Sequence, residues 1–157
     1  MRKTVVLGIG NELYKDEGVG VHVVRILQAK LPSPDSAVEV IDGGTSPDIW
    51  PLIDGASKLI IVDAVRGGCE PGTIYRFTPQ QIVADGGLIT SVHQIGILEN
   101  LSLMELVGGK PEDTVVIGVE PAELEPGLEL SAELQERMPK IIQTVLREIH
   151  SHIETKV

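Results

Sequence analysis

Three stretches of this chain are almost wholly aliphatic: Thr4 to Ile9, Leu59 to Val62 and Val115 to Val119. Each has the length of a β-strand and lacks the polar alternation of a half-wet one, so each suits a strand covered on both faces. Covering both faces of a sheet requires helices on both sides, and amphipathic stretches do alternate with these runs. The pattern is that of an α/β fold. Val38-Glu39-Val40 and Ile74-Tyr75-Arg76-Phe77 mix polar with apolar residues and suit edge strands. The result is a five-stranded sheet with the first, third and fifth strands in its middle. Only nine residues, Ala64 to Gly72, separate the third strand from the fourth. A parallel crossover needs about a dozen or more, so the fourth strand is predicted to run antiparallel.

Helices fill the remaining gaps. Val19, Val23, Ile26 and Leu27 share one face of a helix predicted from about Glu17 to Lys30, with Asp16 as its N-cap. Ser46-Pro47 offers a cap followed by proline at a first helical position. Ser91-x-x-Gln94 matches a capping box ahead of Ile97, Leu98, Leu101 and Met104. A last helix starts near Ser131 and aligns Leu134, Met138, Ile141, Ile142, Val145 and Ile149. Pro139 interrupts that pattern and predicts a kink or a restart.

The chain's 157 residues fit one domain spanning 1–157. With aromatics at 3%, the core must be mainly aliphatic. Thirteen Lys and Arg against 23 Asp and Glu leave a net charge of −10, which argues against a nucleic-acid partner. A single cysteine excludes an internal disulfide framework and a multi-cysteine zinc cluster. Met1-Arg2-Lys3 precedes an apolar run too short for a signal core, and no stretch approaches the ~20 residues of a spanning helix. The expectation is a soluble, cytoplasmic protein without membrane insertion.

Ligands of open α/β sheets bind beyond the carboxyl ends of the strands. Four polar groups fall there: Glu17 after strand one, Asp42 at the end of strand two, Asp63 at the end of strand three, and His93 in the first turn of a helix. Carboxylates and one imidazole converging from separate segments form an oxygen and nitrogen donor set for a borderline divalent ion. A histidine at a helix N-terminus is disfavoured as imidazolium, which keeps a neutral nitrogen for a metal. Each residue also has a plain structural reading. Glu17 can complement a helix dipole, Asp42 before Gly43-Gly44 can form an Asx turn, and His93 can serve a helix start. Asp63 closes an apolar strand, where a buried carboxylate needs a partner.

Other candidates fail. Gly8-x-Gly10 opens like a dinucleotide fingerprint, but Leu13 stands where its third glycine belongs. His150 and His152 are spaced i, i+2 and do not face each other on a helix. His22 is expected in solvent, and Cys69 has no general base near it in sequence. No serine-hydrolase elbow is present.

Taken in order, Val6-Leu7-Gly8-Ile9-Gly10-Asn11, Asp16-Glu17-Gly18-Val19-Gly20, Asp42-Gly43-Gly44-Thr45, Ile61-Val62-Asp63-Ala64, Ser91-Val92-His93-Gln94-Ile95-Gly96 and Ile117-Gly118-Val119-Glu120-Pro121 resemble the hydrogenase maturation endopeptidases. The resemblance implies a three-layer α/β/α sandwich, phosphorylase/hydrolase-like, with a mixed five-stranded sheet in the order 2-1-3-5-4 and strand four antiparallel. It implies removal of the C-terminal extension from a nickel-loaded [NiFe]-hydrogenase large-subunit precursor. Glu17, Asp63 and His93 match the nickel-contacting positions, and Asp42, Gly43, Gly44 and Thr45 match a segment associated with substrate recognition.

Two mechanisms remain open. The substrate's nickel could polarise the scissile carbonyl or a water while Asp63 or Asp42 acts as base. Alternatively, nickel could only license docking. Three ligands without a thiolate make a weak, open site, so the nickel is expected from the precursor and no tightly bound metal is expected in the free enzyme. A nucleotide-binding module and a non-catalytic nickel chaperone are the rival classes.

Overall fold

A computed structural model of the chain describes residues 3–31, 37–46, 48–81 and 92–154, with the backbone alone for 92–98 and 152–154. Five strands, β1 (Thr4–Ile9), β2 (Val38–Gly44), β3 (Lys58–Ala64), β4 (Ile74–Phe77) and β5 (Asp113–Val119), form one sheet in the order β2-β1-β3-β5-β4. β4 alone is antiparallel, against β5, as the short connection predicts. A 3-10 turn (Lys15–Gly18) leads into α1 (Val19–Lys30). α2 (Trp50–Ile53), α3 (Val92–Val107) and α4 (Ala132–Glu154) complete the fold.

The aliphatic runs are continuous because successive side chains feed two different cores. Val6, Ile60, Val62, Val115, Ile117 and Val119 pack with α1 and α4 through residues such as Val23, Leu27, Leu134 and Ile141. Val5, Leu7, Leu59, Ile61 and Val116 face the other way, against Ile53 of α2 and Leu101 and Met104 of α3. This is the three-layer arrangement. The carboxyl ends of β1, β2, β3 and β5 share one edge of the sheet, because these four strands are parallel.

Several local expectations change. Asp16 does not cap α1. It is fully buried within the 3-10 turn, and its carboxylate accepts hydrogen bonds from the distant residues Ala122, Glu123 and Ser131. The second helix starts not at Ser46 but at Trp50, whose N–H donates to Asp48 Oδ1 at 3.3 Å. Pro47 lies outside the described residues, as do Ser91 and the side chains of Gln94, Ile97 and Leu98. α4 runs through Pro139 as a single helix, with no restart, and Pro139 is on its exposed side. Ser131 caps it, accepting from the Leu134 N–H at 3.4 Å. Among the described residues no helix is long and apolar enough to cross a membrane.

At the opposite, amino end of the sheet, the Lys58 ammonium is buried and lies 2.7 Å from Asp113 and 3.3 Å from Glu148. Glu148 also accepts from the Arg76 guanidinium. Burial alone would raise the Glu148 carboxyl, but Arg76 and Lys58 outweigh it and hold it below the ordinary value of 4.5. A depressed carboxyl stabilises the fold fully above its ordinary value, and that contribution is lost as pH falls through the lowered one. Glu148→Gln is expected to cost about 1–3 kcal/mol at neutral pH in urea unfolding, because Lys58 loses a buried partner. The same variant should show a flatter loss of stability below pH 4.5, the ordinary glutamate value, than the parent.

Candidate functional site at the carboxyl edge

The 3-10 turn and the start of α1 lie directly on the sheet's carboxyl edge. A Cβ on Gly20 would stand 2.1 Å from the Val62 carbonyl and 2.6 Å from that of Ile9, so only glycine allows this approach. Gly10, at φ +134°, likewise lets the Glu17 carbonyl fold over the end of β1. These two contacts bring Glu17 from the turn, and Asp63 immediately after Val62, to the ends of neighbouring strands. Glu17 is half-buried and Asp63 is 1% exposed. Asp63 Oδ1 accepts from the Ala64 N–H at 2.8 Å, which orients the carboxylate at the end of β3.

Asp42 is placed differently. It is in register with Gly8, and Gly8 with Val62, so Asp42 shares the face of Val62 that α1 covers. Asp63, one residue further along β3, points to the other face, the one α2 and α3 cover. Asp42 Oδ1 accepts from the Gly44 N–H at 3.0 Å, the Asx turn among its possible readings, and Oδ2 lies 3.6 Å from Arg25 of α1. Arg25 also grips Glu12 with both fork nitrogens, at 2.6 and 3.0 Å. That hydrogen bonding holds the Glu12 carboxyl below its usual range and pushes the guanidinium up. Glu12, Arg25 and Asp42 thus tie the loop after β1 to the end of β2.

The Asp42–Thr45 segment is shaped by a local irregularity of β2. Ile9 pairs with Gly44 rather than Gly43, so Gly43 is the extra residue of a bulge. A Cβ on it would lie 2.8 Å from Leu7 Cδ1 and 3.2 Å from the Gly8 carbonyl. Its missing side chain makes room for the chain's own β1. Gly44, at φ +51°, turns the chain outward, and Thr45 is exposed.

His93 is the second residue of α3. α3 leads into β5, which runs parallel to β3, so the helix begins toward the carboxyl edge on the face of Asp63. The His93 side chain lies outside the described residues, as does most of the Thr78–Thr90 loop. Among the described residues no three His, Cys, Asp or Glu side chains gather into a metal-sized cluster. His22 is not in solvent as expected. It is half-buried with an unpartnered Nε2, and it lines a cavity together with Leu128 and Leu130.

Sequence reasoning gave no site role to Asp16, Arg25 or Glu120. Glu120 is buried just past β5, where one carboxylate oxygen accepts from the Gly67 N–H at 2.8 Å and the Tyr75 hydroxyl at 2.5 Å. Tyr75 in turn accepts from the Cys69 N–H at 3.3 Å. The loop that follows Asp63 is therefore tied to β5 and β4, and Cys69 itself is an exposed free thiol. Desolvation, together with the contacts to Cys69 and Glu120, pushes the Tyr75 phenol above its ordinary 10.0. The Glu120-Pro121 pair could have signalled this, since a carboxylate directly after a buried strand needs donors.

A family model described as hydrogenase maturation protease (HycI) matches residues 21–148. The hydrogenase 2 maturation protease of Escherichia coli is 33% identical over 147 residues, 92% of this chain and 88% of its own length. The hydrogenase expression/formation protein HupD of Thiocapsa roseopersicina is 38% identical over 147 residues, 90% of this chain. The chain spans 65% of that relative's length. Among solved structures, the E. coli hydrogenase maturating endopeptidase HybD superposes with a TM-score of 0.85 at 31% identity, covering 97% of this chain and 94% of that one.

Gly43→Ala is expected to lose about 1–3 kcal/mol in urea unfolding without any substrate present, through overpacking against Leu7, whereas Thr45→Ala should stay near the parent. In an ultraviolet titration, a component delayed beyond the ordinary tyrosine value of 10.0 should be seen in the parent and vanish in Tyr75→Phe.

Proposed function

The chain belongs to the hydrogenase maturation protease family, and from that premise we propose that it is an endopeptidase acting on the large-subunit precursor of a [NiFe]-hydrogenase. It removes the precursor's C-terminal extension in the cytoplasm once nickel is in place, and the nickel held by the precursor is the recognition element. The observation that carries this reading is the approach of Gly20 to the Val62 carbonyl, which sets Glu17 and Asp63 on adjacent strand ends. Two carboxylates with a nearby helix start bearing His93 form an open oxygen and nitrogen set suited to a borderline dication that brings its remaining ligands with it. The chain's one cysteine is in the loop beyond β3, tied toward Glu120 and Tyr75, so the thiolates come from the precursor.

Within this reading Glu17, Asp63 and His93 contact the precursor's nickel, and the ion polarises the scissile carbonyl or a water beside it. Asp63 is the better placed general base. It stands on the face where α3 begins, while Asp42 is held by the Gly44 N–H and the Arg25 guanidinium on the opposite face. Asp42, with Gly43, Gly44 and Thr45, instead shapes the turn that meets the extended substrate. The free enzyme is expected to keep no tightly bound metal, and the acidic balance leaves nucleic acid outside its partners.

Mass spectrometry of nickel-loaded precursor incubated with the protein decides the reading. A shorter precursor is expected with the parent. Asp63→Asn should slow its formation by about 10²–10⁴-fold, the scale of a lost general base. His93→Ala that abolishes cleavage yet still forms the complex would exclude a role for nickel in docking alone. Complex formation with no shortened product from the parent would identify a nickel chaperone instead.

A further inference from the structure

We infer that Asp16 is a positioning residue for the reaction at Glu17 and Asp63, an inference that rests on the proteolytic reading above. The Asp16 side chain is fully buried, and its described partners are all neutral donors. Oδ2 accepts from the Ala122 N–H at 2.8 Å, the Glu123 N–H at 2.9 Å and the Ser131 hydroxyl at 2.7 Å. Oδ1 accepts from the Ser131 N–H at 2.8 Å. A buried carboxylate is tolerated when donors of this number converge on it.

The backbone repeats the tie. The Asp16 N–H donates to the Glu123 carbonyl at 3.1 Å, the Lys15 N–H to the Gly127 carbonyl at 2.9 Å, and the Gly127 N–H to the Leu13 carbonyl at 2.9 Å. Lys15 is the one non-glycine residue with positive φ among the described residues, at 43°. Such strain persists only where surrounding contacts over-determine the backbone. Here those contacts include Lys15 Nζ held by Glu123 at 2.7 Å and Glu125 at 3.3 Å.

Glu17 follows Asp16 directly, so the clamp sets where its carboxylate stands over the strand ends. It does so from the far side of the sequence, through the segment between β5 and α4. An asparagine of the same shape must present its NH₂ to at least one of these donors. The turn would then shift, and a displacement near 1 Å at a catalytic group costs about 10²-fold in rate.

The test compares Asp16→Asn and Ser131→Ala with Ile149→Ala, a core substitution at the far end of α4 that serves as a stability control. Cleavage of nickel-loaded precursor is followed by mass spectrometry, and nickel ion alone is titrated into each free protein by calorimetry. For Asp16→Asn, kcat is expected to fall about 10²-fold with KM little changed, and nickel affinity to weaken. Ser131→Ala should move both readouts in the same direction by less. Ile149→Ala should lower the urea midpoint while keeping the parent's kcat and nickel affinity in the folded protein. Parent-like kcat and nickel affinity in Asp16→Asn would overturn the inference, as would an equal loss in Ile149→Ala. If Asp16→Asn does not fold, Ser131→Ala decides by the same criteria. A parent that leaves the precursor intact defeats the proteolytic reading alone, and the nickel titration still tests whether Asp16 sets the donor geometry.

Discussion

The carboxyl edge of this protein depends on how closely α1 lies against the sheet. At Gly20 the helix touches the carbonyls of Ile9 and Val62 with no side chain between them. A methyl group there would lift the helix, and with it the 3-10 turn that carries Glu17. Two core faces then hold the sheet in place on either side of this contact. The α1 and α4 layer packs on Val6, Val62 and Ile117, and the α2 and α3 layer packs on Leu7, Ile61 and Val116. The site is thus a consequence of backbone proximity, with the carboxylates attached to elements that cannot easily move apart.

Charge is distributed in keeping with that division. At the amino edge the buried Lys58 is matched by Glu148 and Asp113, and Arg76 completes the set. Those groups neutralise one another and serve the fold. At the carboxyl edge Arg25 engages Glu12 and Asp42, and Lys15 engages Glu123 and Glu125. Glu17 and Asp63 lie at the same edge, Glu17 half-buried and Asp63 buried. A partly desolvated pair of carboxylates favours a divalent ion over a monovalent one, since each additional unit of charge gains from both oxygens.

The loops around the edge are built on buried acids as well. Asp16 gathers donors from the segment before α4, and Glu120 gathers them from the loop after β3 and from Tyr75 of β4. Each residue lies inside a motif quoted for the family resemblance, and Asp16 looks there like an ordinary helix cap. Their partners lie 106, 107 and 115 residues away for Asp16, and 45 and 53 for Glu120. Periodicity and local propensity carry no information at such separations.

Much of the fold was legible in the sequence. Two-sided burial demands unbroken aliphatic runs, so β1, β3 and β5 could be placed in the sheet's interior. The short link from Ala64 to Gly72 cannot cross over a sheet, so β4 had to reverse. The same reading brought Glu17, Asp42 and Asp63 to one edge, because parallel strands end together. Which face of the sheet each of them takes was decided only by the tertiary structure. A one-residue step along neighbouring strands turns Asp42 toward α1 and Asp63 toward the α2 and α3 face, and Arg25 then occupies the first. That Gly43 leaves room for the chain's own β1 likewise depended on a bulge that sets it against Leu7. Side-chain alternation and strand termini are local properties that a sequence encodes directly. The pairing of carboxylates with donors from the far end of the chain arises only when packing brings those segments together.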